Sequence, residues 1–161
     1  MQIRRARPDE AAVLTGIAHA AKRHWGYPEN WIQHWKDDLT ITAEFIEQNE
    51  VFVALVEEEI AGCCAIVNLE SAAELEHMWI RPDHMGQGVG RALFDHAREK
   101  AADLQVPELE LSADPHAEGF YRHLGATRIG EVQADMEGQS RVLPRMKVTT
   151  TPEHKKEPPG W

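Results

Sequence analysis

The sequence predicts an α/β domain in which about seven strands form one mixed sheet and about four to five helices flank it. The chain has 161 residues, the length of one ordinary domain. Hydrophobic residues make up 42% of it and charged residues 27%, as in most globular proteins. Apolar residues change between helical spacing and short β-rich runs, in the order strand, helices, three strands, helix, strand, helix and two strands.

The N-terminal part predicts one strand followed by three helical stretches. Residues 3–6 form the strand, and Pro8 with two acidic residues opens the first helix. The sequence Trp-Gly-Tyr-Pro at 25–28 ends this helix, a second follows, and a third begins at Thr42. Five residues at helical spacing predict the apolar face of the first helix: Val13, Leu14, Ile17, Ala20 and Ala21.

Strands dominate the rest of the chain. Residues 51–56 and 60–67 predict a hairpin, because two β-rich runs flank a charged turn at 57–59. The remaining predicted elements are strands at 75–80, 109–113, 129–132 and 143–148, and helices at 91–104 and 117–124. The result is one domain over residues 1–148 and a flexible tail over 149–161, which is rich in proline, threonine and charge.

Charge and cysteine content exclude several classes of protein. The net charge of −10 argues against binding nucleic acid or an anionic membrane surface, and it favours a cationic partner such as an amine. No apolar stretch is long enough to span a membrane, and no apolar run follows the basic N-terminus, so no signal peptide is expected. Cys63 and Cys64 are neighbours whose side chains point to opposite faces of a strand, so no intramolecular disulfide is expected and a cytoplasmic location is predicted.

A glycine-rich segment lies between a predicted strand and a predicted helix. Gly86, Gly88 and Gly90 allow backbone N–H groups to converge on an anion at the helix start, and a pyrophosphate is the expected ligand. The spacing does not fit the dinucleotide pattern G-x-G-x-x-G, and the chain has no P-loop. A tight turn that binds nothing is the alternative.

Two segments resemble motifs of the GNAT N-acetyltransferase superfamily. Residues 75–93 resemble its acetyl-CoA signature, a strand and proline turn followed by Q/R-x-x-G-x-G/A at a helix start. Residues 117–126 resemble its A-x-x-F-Y-x-x-x-G-F/A helix, and the order of elements over 2–148 is similar to that of its fold. The resemblance implies a mostly antiparallel sheet and acetyl-CoA as co-substrate, but it leaves the acceptor open.

The resemblance also assigns residues to the cofactor. Backbone N–H groups would hold the CoA pyrophosphate at Gly86, Gln87, Gly88, Val89, Gly90 and Arg91. The main chain would hold the pantetheine arm at Met78, Trp79 and Ile80. Two positions depart from the family pattern: Met85 replaces Gln or Arg, and Asp114 replaces an Asn, a contact for which His116 is a substitute.

Acetyl transfer to an amine requires a neutral amine, a stabilised oxygen and a proton for the leaving thiolate. Tyr121 matches the usual acid of the family, whereas its spacing alone favours a core tyrosine. Glu76 is the candidate base, predicted on the same strand face as Met78 and Ile80. The alternatives left open for the base are ordered water and three nearby groups: Glu74, His77 and Glu110.

Aromatic residues concentrate at 25–35, a region that borders the acceptor pocket in the family. Trp25 and Tyr27, in the Gly-Pro loop, are the predicted acceptor-binding residues. Trp31 and Trp35, four apart, are predicted as the core face of a helix.

The predicted function is direct acetyl transfer from acetyl-CoA to a primary amine, without an acetyl-enzyme. A non-catalytic acyl-CoA-binding or sensor module is the alternative. The histidines and cysteines have no metal-ligand spacing, and no metal is predicted. The resemblance also makes a homodimer a possible assembly.

Overall fold

Seven strands form one sheet in the order β1-β2-β3-β4-β5-β7-β6 in the computed structural model, which describes residues 1–150. The strands are β1 (Gln2–Arg5), β2 (Glu50–Val56), β3 (Glu59–Asn68), β4 (Ala73–Ile80), β5 (Glu108–Ser112), β6 (Thr127–Met136) and β7 (Gln139–Thr149). Neighbouring strands are antiparallel except β4 and β5, which are parallel. The predicted mixed, mostly antiparallel sheet is confirmed.

Six α-helices accompany the sheet within these residues. They are α1 (Ala11–His24), α2 (Glu29–His34), α3 (Lys36–Leu39), α4 (Ala43–Gln48), α5 (Val89–Asp103) and α6 (Glu118–His123). Over residues 1–150, none of the helices has the length and apolar character that crossing a bilayer requires.

The helices pack on opposite faces of the sheet. Phe52 and Cys64 point to the face covered by α5 and α6, whereas Val53 and Cys63 point to the face covered by α1 and α4. A third cluster joins α1, α2 and α3 to Met136 at the end of β6. Both cysteines are free and buried, as their opposite orientations predicted.

Helix boundaries differ from the prediction where a capping residue decides them. Helix α5 begins at Val89, before the predicted residue 91, because Gly88 in a left-handed conformation caps it. Thr42 caps α4 as predicted, and its hydroxyl accepts a hydrogen bond from the backbone N–H of Phe45 at 3.0 Å. Val13 is 48% exposed and does not belong to the apolar face of α1.

The last two strands are longer than predicted. β6 has ten residues instead of the predicted four, because most of its residues are exposed and its polar composition hides the strand pattern. β7 extends through Thr149, and the buried Thr150 hydroxyl donates to the carbonyl of Val106 at 2.8 Å. Residues 149 and 150 of the predicted tail are therefore part of the fold, and its other residues, 151–161, lie outside the described residues.

Candidate active site

β4 and β5 pair over only two residue pairs, Ala73 with Leu109 and Glu74 with Glu110. Beyond Glu74, β4 continues along β3 while its other edge faces a gap instead of a strand. A cavity of about 680 Å³ lies along this edge. Its walls come from β4, the glycine-rich turn, α6, β7 and the α1–α3 segment.

Glu76 forms a bulge in β4. Its neighbours Leu75 and His77 lie opposite Ile66 and Ala65, which are adjacent in β3, so Glu76 is the extra residue. The regular alternation that predicted a common face for Glu76, Met78 and Ile80 therefore does not hold across this position. The bulge is a local backbone feature that apolar periodicity does not reveal.

The glycine-rich turn has an open and electropositive geometry. Gly86 and Gly88 have φ angles of 79° and 84°, a left-handed conformation that suits glycine. A Cβ at either position would meet no atom within 4 Å, so the space beside the turn is open. The first turn of α5, which begins at Val89, leaves backbone N–H groups without intrahelical partners. The residues present therefore fit a pyrophosphate.

Most of the predicted cofactor residues line the cavity: Met78, Trp79, Ile80, Gly86, Gly88, Gly90, Arg91 and Asp114. Gln87 and Val89 do not line it. The Oε1 atom of Gln87 lies 3.1 Å from Nδ1 of His84. The side chain of Val89, the first residue of α5, is buried in the core. At these two positions only the backbone is suited to an anion, which is the type of contact predicted.

Tyr121 is both a core residue and a cavity residue, the two alternatives that the sequence left open. Its side chain is 7% exposed and packs against Phe94 and Phe120, with ring centroids 5.7 and 5.1 Å apart. It also lines the cavity. Burial raises the pKa of the Tyr121 hydroxyl well above its ordinary value, so the group is protonated at neutral pH.

Glu76 also lines the cavity and has the character of a base. Burial, together with the neighbouring charge of Glu74 and a smaller effect of Asp38, raises the pKa of the Glu76 carboxyl. A raised pKa makes a carboxylate a better proton acceptor near neutral pH.

The other three candidate bases are engaged elsewhere. Arg145 donates to Glu74 at 2.6 Å and to Glu110 at 3.4 Å, so both carboxylates are held in ion pairs with this one guanidinium. Nδ1 of His77 accepts a hydrogen bond from Nε1 of Trp79 at 2.9 Å, and burial lowers the pKa of His77 to about 4. The neutral His77 ring therefore carries its proton on Nε2 and has no free lone pair to act as a base.

The aromatic segment divides into cavity and supporting residues. Trp25 lines the cavity, is 36% exposed and stacks on His116 with ring centroids 5.0 Å apart. Trp35 belongs to a core cluster, as predicted, and also lines the cavity. Tyr27 does not line it, and its hydroxyl accepts a hydrogen bond from Nη2 of Arg141 at 2.7 Å.

Asp114 is the centre of an ionic cluster beside these rings. Its carboxylate accepts hydrogen bonds from Lys22 Nζ at 2.8 Å, from the Tyr27 hydroxyl at 2.9 Å and from the backbone N–H of His116 at 2.9 Å. Burial disfavours the charged carboxylate, but Lys22 and His116 outweigh it and lower the pKa of Asp114 to about 2. Asp114 is therefore ionised and already bonded within the protein.

Lys22 and Arg141 are cavity residues that sequence reasoning missed. Lys22 is 92 residues from Asp114, and Arg141 is 114 residues from Tyr27. No local motif surrounds either cation, so only the folded chain brings them together. The sequence features that pointed to this region were the unusual Asp114 and the aromatic residues at 25–35.

The model of the family described as Acetyltransferase (GNAT) domain matches residues 47–125, from the end of α4 to just beyond α6. The chain therefore contains a GNAT acetyltransferase domain over these residues. It is an acetyl-CoA-dependent acetyltransferase, which confirms the predicted enzyme class and co-substrate. No curated protein matches the sequence.

Several solved structures share the fold of this GNAT protein. A GCN5-related N-acetyltransferase from Rhodopseudomonas palustris has a TM-score of 0.77 and 20% identity, over 92% of this chain and 94% of that one. PaiA N-acetyltransferase from Thermoplasma acidophilum, in complex with coenzyme A, has a TM-score of 0.72 and 17% identity, over 92% and 98%. A ribosomal-protein-alanine N-acetyltransferase from Brucella melitensis has a TM-score of 0.67 and 19% identity, over 92% and 99%.

The cavity of this GNAT protein has two chemically different sides. The glycine-rich turn and Tyr121 lie with α5 and α6 on one face of the sheet. Lys22 and Trp35 lie with α1 and α2 on the other face. A ligand in the gap between β4 and β5 is therefore reachable from both faces.

Proposed function

We propose that this GNAT enzyme transfers the acetyl group of acetyl-CoA directly to a primary amine, with Tyr121 as general acid and Glu76 as general base. One observation carries the proposal. A protonated tyrosine, a carboxylate with a raised pKa and an anion-binding turn line the same cavity.

The donor side is suited to a CoA molecule through its backbone. N–H groups of the glycine-rich turn and the first turn of α5 would bind the pyrophosphate. Met78, Trp79 and Ile80, on the unpaired edge of β4, would offer main-chain hydrogen bonds to the pantetheine arm. Bound there, acetyl-CoA supplies an activated acetyl thioester.

The two titratable groups would handle the protons of the reaction. Glu76 accepts the proton that the amine loses as its nitrogen forms the new bond to the acetyl carbon. Tyr121 donates its hydroxyl proton to the sulfur as the carbon–sulfur bond breaks. The products are an N-acetylated amine and the free thiol of CoA, and solvent exchange returns both side chains to their starting protonation states.

Trp25 and Tyr27 are proposed to serve the acceptor in different ways. Trp25 offers an aromatic wall to the cavity. Tyr27 holds the cavity residues Arg141 and Asp114 in place through its hydroxyl. The acceptor therefore contacts the ring of Trp25, while Tyr27 acts as a positioning residue.

The first test is a thermal shift with acetyl-CoA, with NAD as the control. A ligand at 100 times its Kd stabilises a protein by about 2.7 kcal/mol. For a domain of this size each kcal/mol corresponds to a Tm increase of roughly 2–4 °C. An increase with acetyl-CoA alone supports the donor site, and no increase at millimolar concentration contradicts it.

The second test measures thiol release with a panel of primary amines. Tyr121→Phe removes one hydroxyl and should lower kcat roughly 10²–10⁴-fold, the usual contribution of a general acid, with the KM for acetyl-CoA unchanged. His123→Gln, an exposed change on the same helix, is the matched control. An unchanged rate in Tyr121→Phe rules out this acid. Binding of acetyl-CoA with no thiol release would instead indicate a non-catalytic acyl-CoA-binding module.

A further inference from the structure

The ionic cluster around Asp114 carries a surplus of positive charge that the proposed function does not use. One carboxylate faces two cations, Lys22 at 2.8 Å and Arg141 at 3.7 Å. The carboxylate also accepts hydrogen bonds from the Tyr27 hydroxyl and from the backbone of His116. Asp114 is thereby saturated, and one positive charge on the cavity wall is not balanced within the cluster.

Arg141 has planar hydrogen-bond donors that the cluster leaves unused. Its Nη2 donates to the Tyr27 hydroxyl at 2.7 Å. In the part of the chain from 1 to 150, Nε and Nη1 have no hydrogen-bond acceptor. The Arg141 side chain is only 11% exposed and lines the cavity. Unpaired guanidinium donors that a largely buried side chain presents to a cavity favour a planar anion that accepts two hydrogen bonds.

The position of Arg141 assigns this anion to the acceptor. Its Cζ atom lies 5.0 Å from the ring centroids of Tyr27 and Trp35 and 5.8 Å from that of Trp31. These rings belong to the segment from the α1–α2 loop to α3, whereas the glycine-rich turn that suits the CoA pyrophosphate precedes α5. Packing among aromatic rings restricts the side chain, which reduces the entropy lost when it binds a ligand.

The opposite charge lies elsewhere on the same cavity wall. Glu76 and Asp38 both line the cavity, and their carboxylates attract an ammonium group. The cavity therefore presents an anionic part where the amine reacts and a cationic part at Arg141. A molecule that carries both an amine and an anion matches both parts.

We propose that the acceptor is an amine that also carries a free carboxylate, as in an amino acid, and that Arg141 binds this carboxylate. The inference rests on the proposed transfer to a primary amine and narrows its substrate class. It predicts that the carboxylate contributes to acceptor recognition and not to acetyl-CoA binding.

The test compares matched acceptors on the full-length enzyme. Glycine and the L-amino acids other than proline and cysteine, together with their carboxamides, are assayed by thiol release at saturating acetyl-CoA. Each pair differs in the negative charge, while the side chain is the same. For the amino acids that react, we expect kcat/KM to exceed that of the amide about tenfold or more, the usual effect of a hydrogen-bonded charged pair.

Two arginine variants separate the acceptor from the donor. Arg141→Gln should raise the KM for the amino acid about tenfold or more, leave the KM for acetyl-CoA unchanged and abolish the preference over the amide. Arg122→Gln, an exposed change on α6 outside the cavity lining, is the matched control and should preserve that preference. Arg141→Lys keeps the charge and should retain part of the preference, which distinguishes recognition from a folding defect.

Three results overturn the inference while the proposed function stands. Amides or plain amines react as well as the amino acids, Arg141→Gln changes the KM for acetyl-CoA instead of that for the acceptor, or Arg141→Gln reacts with an unchanged preference. Preference for amides would point to peptide N-termini. If acetyl-CoA binds but no amine of either class releases thiol, the proposed function itself fails, and the inference fails with it.

Discussion

The two sides of the cavity are built in different ways. The donor side consists of backbone from one continuous segment, in which Gly86 and Gly88 turn the chain and α5 begins at Val89. The acceptor side consists of side chains from distant segments, such as Lys22 and Arg141, joined through Asp114. Backbone geometry is insensitive to most side-chain changes, whereas an ionic cluster depends on each of its members.

This difference predicts separate responses to substitution. Changes at the glycine-rich turn should affect acetyl-CoA, and changes in the aromatic and ionic cluster should affect the acceptor or the stability of the fold. Glu76, in the bulge of β4, lies where the two sides meet. Its loss should therefore affect the chemical step and the attraction for the acceptor amine, and leave the KM for acetyl-CoA nearly unchanged.

Glu76→Gln should have the largest effect on rate. The amide has the shape of the carboxylate but accepts no proton, so kcat should fall roughly 10²–10⁴-fold with an unchanged KM for acetyl-CoA. The measurement is steady-state thiol release. Glu70→Gln, an exposed change in the turn before β4, is the control. A decrease of less than about threefold would mean that water and not Glu76 takes the proton.

The pH dependence sharpens the same test. Only the ionised Glu76 accepts a proton, and burial raises its pKa. In the wild-type enzyme kcat/KM should therefore fall as the pH decreases through this raised pKa. Glu76→Gln should lose that acidic limb, and a limb that persists would belong to another group.

Asp114→Asn should have the largest effect on stability. It leaves the buried Lys22 and Arg141 without their carboxylate, a change that typically costs about 3–5 kcal/mol. Urea unfolding measures this loss. Glu108→Gln, which removes the exposed partner of Lys147, should cost less than about 1 kcal/mol. Equal losses would contradict the special role of the buried cluster.

Acid unfolding measures independently how much the ionised Asp114 contributes to the stability of the fold. The pKa of Asp114 is lowered in the folded protein to about 2, so its carboxylate stabilises the fold above the ordinary pKa of an aspartate. That contribution should disappear as the pH falls from about 4 to about 2. Asp114→Asn should lack this acid-dependent component, whereas Glu108→Gln should retain it.

The sequence predicted the donor side well because its information is local. The positions of Gly86, Gly88 and Gly90, between a strand and a helix, define the turn by themselves. The seven strands were also predicted, since most carry apolar runs that the sheet buries. β6 was predicted too short because nearly all of its residues are exposed.

The acceptor side was predicted only in part, for physical reasons. Trp25 stood out because aromatic residues are conspicuous in a Gly-Pro loop. No sequence pattern distinguishes Arg141 from the other arginines. Its position in the cavity depends on a hydrogen bond to Tyr27, which is 114 residues away. The bulge at Glu76 depends on the pairing of β4 with β3 and not on any residue pattern within β4.

Gly88→Ala should have a smaller effect that is confined to the donor side. Gly88 has a φ of 84°, and an added Cβ would meet no atom within 4 Å, so the cost is backbone strain of roughly 1–2 kcal/mol. The distorted turn should raise the KM for acetyl-CoA and leave that for the acceptor unchanged. Gly119→Ala, in α6 with equally open space, is the control. A changed acceptor KM in Gly88→Ala would contradict the conclusion that the donor and acceptor sides respond separately to substitution.

Trp25→Ala should have the smallest effect, confined to the acceptor side. Trp25 lines the cavity and stacks on His116, so its loss removes one aromatic wall without touching the glycine-rich turn. An aromatic contact of this kind contributes about 1 kcal/mol, so the acceptor KM should rise about fivefold while acetyl-CoA binding is unchanged. Trp25→Phe keeps an aromatic ring beside His116 and should recover most of the loss. Equal acceptor KM values in wild type and Trp25→Ala would remove Trp25 from the acceptor site and leave Arg141 as its main determinant.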